Sequence, residues 1–172
     1  TFSNVTPASQ GPNSILIVAI DGAGNSSSPA TANVTYDSIP PGAPTFTTPP
    51  ASPTDSNISF VVSSSEATSG IDYYRLTGDV SGAPIDSASG SFSNIALAGQ
   101  GTNTLTVFAV DNAGNTGSST NRNVVYDTQP PGQPSVTSAP ESPTDGPVSF
   151  QVTATDASSG VDFYRLTGDA VG

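Results

Sequence analysis

Oxygen is the only strong ligand chemistry this chain can offer. There are fourteen Asp and Glu residues against three basic ones, and no His or Cys. Asp37, Glu66, Asp72, Asp111 and Asn115 recur in part 90 residues away. Their counterparts are Asp127, Asp156 and Asp162 on one side and Asp21 and Asn25 on the other. Carboxylates and amide oxygens without nitrogen or sulfur ligands suit a hard cation, and calcium takes about six to eight such oxygens. The competing reading is turn chemistry, in which Asp and Asn side chains cap nearby backbone groups. Catalysis has little to work with. Without His the commonest general base near neutral pH is missing, and without Cys there is no thiol nucleophile or zinc-thiolate site. The three basic residues are Arg75, Arg122 and Arg165, so no lysine can form a Schiff base or a Lys–Asn cross-link. An Asp pair alone hydrolyses glycosides only in a cleft with one raised pKa, and small repeated domains do not suggest one. The chain is expected not to be an enzyme.

These carboxylates need elements to position them, and composition narrows the choice. Hydrophobic residues make up 34% and charged residues only 10%, with 17 Gly and 16 Pro among 172 residues. So much Gly and Pro disfavours long helices. The net charge of −11 repels nucleic acid and anionic membranes. No apolar run reaches the ~20 residues of a membrane span, so neither nucleic-acid binding nor membrane insertion is expected of this segment.

Internal repetition sets the organisation. Tyr36-Asp-Ser-Ile-Pro-Pro-Gly42 returns as Tyr126-Asp-Thr-Gln-Pro-Pro-Gly132. Ser69-Gly-Ile-Asp-Tyr-Tyr-Arg-Leu-Thr-Gly78 returns as Ser159-Gly-Val-Asp-Phe-Tyr-Arg-Leu-Thr-Gly168, and Asp21-Gly-Ala-Gly-Asn25 as Asp111-Asn-Ala-Gly-Asn115. Paired prolines punctuate the repeat. Cut there, residues 40–129 form one complete unit, residues 1–39 match its C-terminal half and residues 130–172 its N-terminal half. Within the unit apolar residues alternate at period two. Ile58, Phe60 and Val62 share one face; Ile71 and Tyr73 begin another strand, with Tyr74 and Leu76 on its opposite face; Leu105, Val107 and Ala109 line a third, and Val124 and Tyr126 a fourth. With Pro44–Thr48 and Phe92–Leu97 this predicts six or seven short strands, an all-β antiparallel sandwich repeated in tandem as an extended rod.

Ser-Gly-Ile-Asp, the strand running into Val-Asp-Asn-Ala-Gly-Asn, and Val-Val-Tyr-Asp-x-x-Pro-Pro together resemble bacterial immunoglobulin-like (BIg-type) repeats of large surface adhesins and extracellular filaments. That resemblance implies an immunoglobulin-like sandwich, location outside the cell (surface-bound or secreted), and calcium near the domain junctions. Two departures stand out: Pro-Pro replaces a frequent Thr-Ala-Pro, and Glu66 stands where Asp is usual. In such a topology the B–C and F–G loops meet the incoming linker. Asp37, Glu66, Asp72, Asp111 and Asn115 then converge on one junction, and Asp127, Asp156 and Asp162 on the next. Asp21 and Asn25 would complete that second set if a neighbouring half-unit docked there.

Other motifs read more plainly. Asp55 and Asp145 in Ser-Pro-Thr-Asp, and Asp79 and Asp169 in Thr-Gly-Asp, are expected to form turns. Arg75 and Arg165 are expected to pair with nearby carboxylates. Tyr73 becomes Phe163 in the second copy, which favours core packing over a carbohydrate platform. The expected function is structural and adhesive, a calcium-stiffened stretch of a surface filament or adhesin stalk. A carbohydrate-binding or spacer module of a large secreted hydrolase is the alternative. Thr1 is not expected to be the natural start. The half-units are expected to be completed by neighbouring repeats, in the same chain or head-to-tail with identical chains.

Overall fold

The computed structural model describes residues 1–168, and the turn expected at Asp169 lies outside them. Eleven strands and no helix form among the described residues, and no helix there is long and apolar enough to cross a membrane. Seven of the strands build one sandwich. Strands β3 (Thr45–Thr48), β4 (Ile58–Ser63) and β7 (Ser91–Ile95) form a three-stranded sheet in that order. Strands β5 (Ile71–Gly78), β6 (Ile85–Ser87), β8 (Gly101–Asp111) and β9 (Thr120–Tyr126) form a four-stranded sheet in the order β6-β5-β8-β9. All these pairings are antiparallel.

The core follows from the pleat, which turns alternate side chains to the same face. Ile58, Phe60 and Val62 face inward from one sheet; Tyr74, Leu76, Leu105, Val107, Ala109 and Val124 face them from the other. Phe60 stacks on Phe92 with ring centroids 4.9 Å apart and tilts against Phe46 at 5.4 Å. Of the two faces that alternation left open for β5, Tyr74 and Leu76 form the inner one; Ile71 packs against the core and Tyr73 does not join it. Two features escape periodicity. Strand β6 is three residues long, too short to show a period. The Tyr74 hydroxyl accepts the Ser64 N–H at 3.0 Å, tying the two sheets together. Gly78 has φ +98, and a Cβ there would run into the Thr104 carbonyl of β8, so glycine is required twice over.

The outer units form only in part. Strands β1 (Gly11–Ile17) and β2 (Ala30–Tyr36) pair from Gly11↔Tyr36 to Ile17↔Ala30. This is the β8–β9 register, Gly101↔Tyr126 to Val107↔Thr120, displaced by one repeat. Strands β10 (Ser135–Ser138) and β11 (Gln151–Thr153) reproduce the β3–β4 pairing with the same irregularity. The segments equivalent to β7 and β5, residues 1–5 and 161–168, are not strands. The reason is topological. In the complete sandwich β7 pairs with β4 and β5 with β8, and each half-unit lacks the partner its third strand needs.

Candidate functional site: the junction carboxylates

Each carboxylate named from the sequence can be followed to its partners. Asp111 closes β8 and is buried at 1% exposure, with its carboxylate turned back onto the following loop. One oxygen accepts the Ala113 and Asn115 backbone N–H groups at 2.9 and 2.8 Å; the other accepts the Asn115 side-chain amide at 2.9 Å. Burial pushes this carboxyl up, but the Asn115 side chain and the backbone N–H groups of Asn115, Ala113 and Gly114 outweigh it and hold the group below its ordinary range. Asp21 and Asn25 repeat the loop with the same three bonds, each at 2.9 Å, in full exposure. Asp-x-Ala-Gly-Asn is therefore a self-contained turn whether or not anything covers it.

The linker carboxylates reach forward instead. Asp37 follows β2 and accepts the Ser69 hydroxyl of the next unit's loop at 2.5 Å and the Ile39 N–H at 3.0 Å. Its own carbonyl accepts the Asn115 side-chain amide at 3.2 Å. One repeat later, Asp127 accepts the Ser159 hydroxyl at 2.6 Å, the Ser159 N–H at 3.0 Å and the Gln129 N–H at 3.0 Å. The Ser159 hydroxyl, then the Gln129 N–H, hold the Asp127 carboxyl below its ordinary range. At each joint the last Asp of one unit thus clasps a serine on the first loop of the next. Gly117 completes the first joint: a Cβ there would lie 2.5 Å from the Pro41 carbonyl, so its absence lets the linker lie against the loop.

Glu66 and Asp156 brace that same serine-bearing loop from inside. Glu66 accepts the N–H groups of Thr68, at 2.7 Å, and of Gly70. Asp156 accepts those of Ser158, Ser159 and Gly160 at 3.1, 2.9 and 2.8 Å. Asp72 and Asp162 are exposed and take no part in these networks.

The test of calcium lies in how these oxygens are used. Among Asp37, Glu66, Asp111, Asp127 and Asp156, every carboxylate oxygen named above already faces an N–H or O–H, and the Asp156 carboxyl also lies against that of Asp127. Asn115 presents its amide N–H groups to Asp111 and Asp37. Among the described residues no three Asp, Glu, His or Cys side chains are placed to hold a metal ion. As arranged, the expected set does not fit calcium, and turn hydrogen bonding accounts for its geometry.

The remaining readings resolve simply. Arg75 pairs with Asp86 through two exposed bonds of 2.7 and 2.8 Å and lies over the Tyr73 ring at 5.1 Å. Arg165 lies over the Phe163 ring at 5.8 Å. In Ser-Pro-Thr-Asp it is Thr54 that works: its N–H donates to the Val125 carbonyl and its carbonyl accepts the Asp127 N–H, both at 2.9 Å. The clasp serines Ser69 and Ser159 were not picked out from the sequence. In a chain so rich in serine only their recurrence at one repeat offset beside Gly marks them.

No protein-family model matches the chain, and curated proteins give no match. Among solved structures it is similar to the fibronectin(III)-like modules of Clostridium thermocellum CbhA. The identity is 16% and the TM-score 0.44, over 71% of this chain and 65% of that one. The chain thus spans just under two thirds of that structure's length.

Proposed function

We propose that this chain is a non-catalytic spacer segment of an extracellular surface filament or adhesin stalk built from immunoglobulin-like repeats. The observation that carries this reading is the clasp, Asp37 to Ser69 and Asp127 to Ser159, made with the same atoms at both joints. A binding module needs one good site. A spacer needs the same joint again and again, because its reach and stiffness are sums over joints. A net charge of −11 resists nonspecific association of such chains. Stiffness in this reading comes from hydrogen bonds and short Pro-Pro linkers, and calcium has no part in it.

The clasp serines make the test specific. Replacing Ser69 and Ser159 together by Ala removes both clasp hydroxyls and leaves the sandwich core untouched. The double variant is expected to stay within about 1 kcal/mol of the parent in stability, as for part-buried hydrogen bonds outside the core. It should nonetheless show a wider spread of orientations between residues 30–36 and the central sandwich by residual dipolar couplings. Unchanged couplings would show that the clasp does not set the joint. Added calcium or a chelator should alter neither protein.

A further inference from the structure

The linker after each clasp aspartate is also held from behind, by the unit it leaves. Gln100 stands just before β8, and Thr128 two residues beyond β9. The Gln100 side-chain amide donates to the Thr128 hydroxyl at 2.7 Å, and its oxygen accepts the Thr128 N–H at 3.0 Å. One repeat earlier Gln10 donates to the Ser38 hydroxyl at 2.5 Å and accepts the Ser38 N–H at 3.1 Å. Thr becomes Ser between the two copies, yet the hydroxyl and both bonds are kept. A planar amide that gives one bond and takes another fixes the rotation of the gripped residue as well as its place.

The turn that presents each glutamine is itself braced. Asn103 is only 3% exposed. Its amide donates to the Gly99 and Gly101 carbonyls at 2.7 and 3.0 Å, and its oxygen accepts the Gly99 N–H at 3.2 Å. Asn13 makes the same three bonds around Gln10: to the Ser9 and Gly11 carbonyls at 2.7 and 2.8 Å, and from the Ser9 N–H at 3.2 Å. The support is therefore the same whether the unit around it is complete or not.

The grip changes what kind of linker this is. The Asp127 N–H donates to the Thr54 carbonyl at 2.9 Å, the Thr128 N–H to Gln100, and the Gln129 N–H to the Asp127 carboxylate at 3.0 Å. Pro130 and Pro131 have no N–H to place. The Gly132 N–H donates to the Thr155 carbonyl of the next unit at 2.8 Å. From residue 127 to residue 132 no backbone donor is left over, so the path of the linker is specified residue by residue. At the first joint the Ser38, Ile39 and Gly42 N–H groups are held in the same way, at 3.1, 3.0 and 3.0 Å.

We propose that Gln100 and Gln10 are positioning residues of the joint: each fixes the residue that follows the clasp aspartate and so aims that carboxylate at the serine of the next unit. The proposal rests on the spacer reading and extends it. The direction of each unit is set by the unit behind it, through its glutamine, as well as by the contact in front.

Nuclear magnetic resonance on the full chain tests this. Gln100→Ala should shrink the residual dipolar couplings of β10 and β11 relative to the central sandwich. Those of β1 and β2, and the melting of the sandwich, should stay as in the parent. Gln10→Ala should do the reverse, and Thr128→Ser, which keeps the hydroxyl, should match the parent. The Asp127 carboxyl is held low by the Ser159 hydroxyl and then the Gln129 N–H. In Gln100→Ala its titration should move up toward the ordinary carboxylate range, with the Asp156 carboxyl beside it followed in the same spectra. A glutamine that merely closed the end of the β8–β9 pair would not move that titration. In a Ser159→Ala background Gln100→Ala should add little, because both act through one contact. Unchanged couplings and an unchanged Asp127 titration in Gln100→Ala would overturn the proposal. So would effects of Gln100→Ala and Ser159→Ala that add in full, or equal loosening of both joints by either glutamine variant. Each of these results leaves the serine clasp standing, since that reading fails only if Ser69→Ala with Ser159→Ala changes no coupling.

Discussion

Phe60→Ala is expected to lower the stability of the central sandwich by about 3–5 kcal/mol, the usual cost of emptying a buried phenylalanine site. Phe60 is 2% exposed and stacks between Phe46 and Phe92, one on its own sheet's outer strand and one on the opposite edge. No neighbouring backbone is free to collapse into the space, since β4 is paired on both sides. Each kcal/mol lost lowers the melting temperature by roughly 4–8 °C in a domain of this size, so calorimetry reads the effect easily. Phe150→Ala alters the same repeat position, and in dilute solution it should leave that melting transition where it is. Equal losses from the two substitutions would mean that the outer unit is folded into the same cooperative core.

Asp111→Ala is expected to cost about 2–3 kcal/mol, more than a solvated turn residue would, because it removes a buried acceptor and leaves three part-buried N–H donors without it. The Ala113 and Asn115 amides and the Asn115 side chain all lose their acceptor. Asp21→Ala breaks the same three bonds in an exposed loop where water replaces them, so the central sandwich should melt as before. The Asp111 carboxyl is held below its ordinary range in the folded chain. Its contribution is therefore complete above the unfolded value and fades as pH falls below about 4 through the folded one. Urea titrations at neutral pH and at progressively lower pH should show the parent converging on Asp111→Ala. A gap between them that stays constant down to the acid limit would contradict the assignment.

How much of this was legible beforehand varies with the physics involved. Period-two alternation located β4, β5, β8 and β9 because one face of each is buried, and burial leaves a periodic trace. The trace says nothing about partners, so residues 161–168 read as a strand just as residues 71–78 do. They remain unpaired because β8's equivalent lies at the other end of the chain. The carboxylates of the junction were legible by residue type, but their hydrogen-bond partners were not. Residue type shows that an oxygen is available; only the fold shows that Ala113, Asn115, Ser69 and Ser159 donate to it. The burial of Asp111 was not legible from alternation, and an irregularity between Ile71 and Tyr73 lies beside it where β5 meets β8. It breaks the alternation there, so Ala109, Val110 and Asp111 are buried in succession.

Load is what a spacer must bear, and a single-molecule extension experiment on the chain held by its two ends measures it directly. The account predicts one cooperative unfolding event for residues 42–127, with a length gain approaching roughly 300 Å, the reach of that many extended residues. The event should occur at the same force with calcium and with a chelator. Gradual extension with no resolved event, or an unfolding force that collapses when calcium is removed, would contradict it.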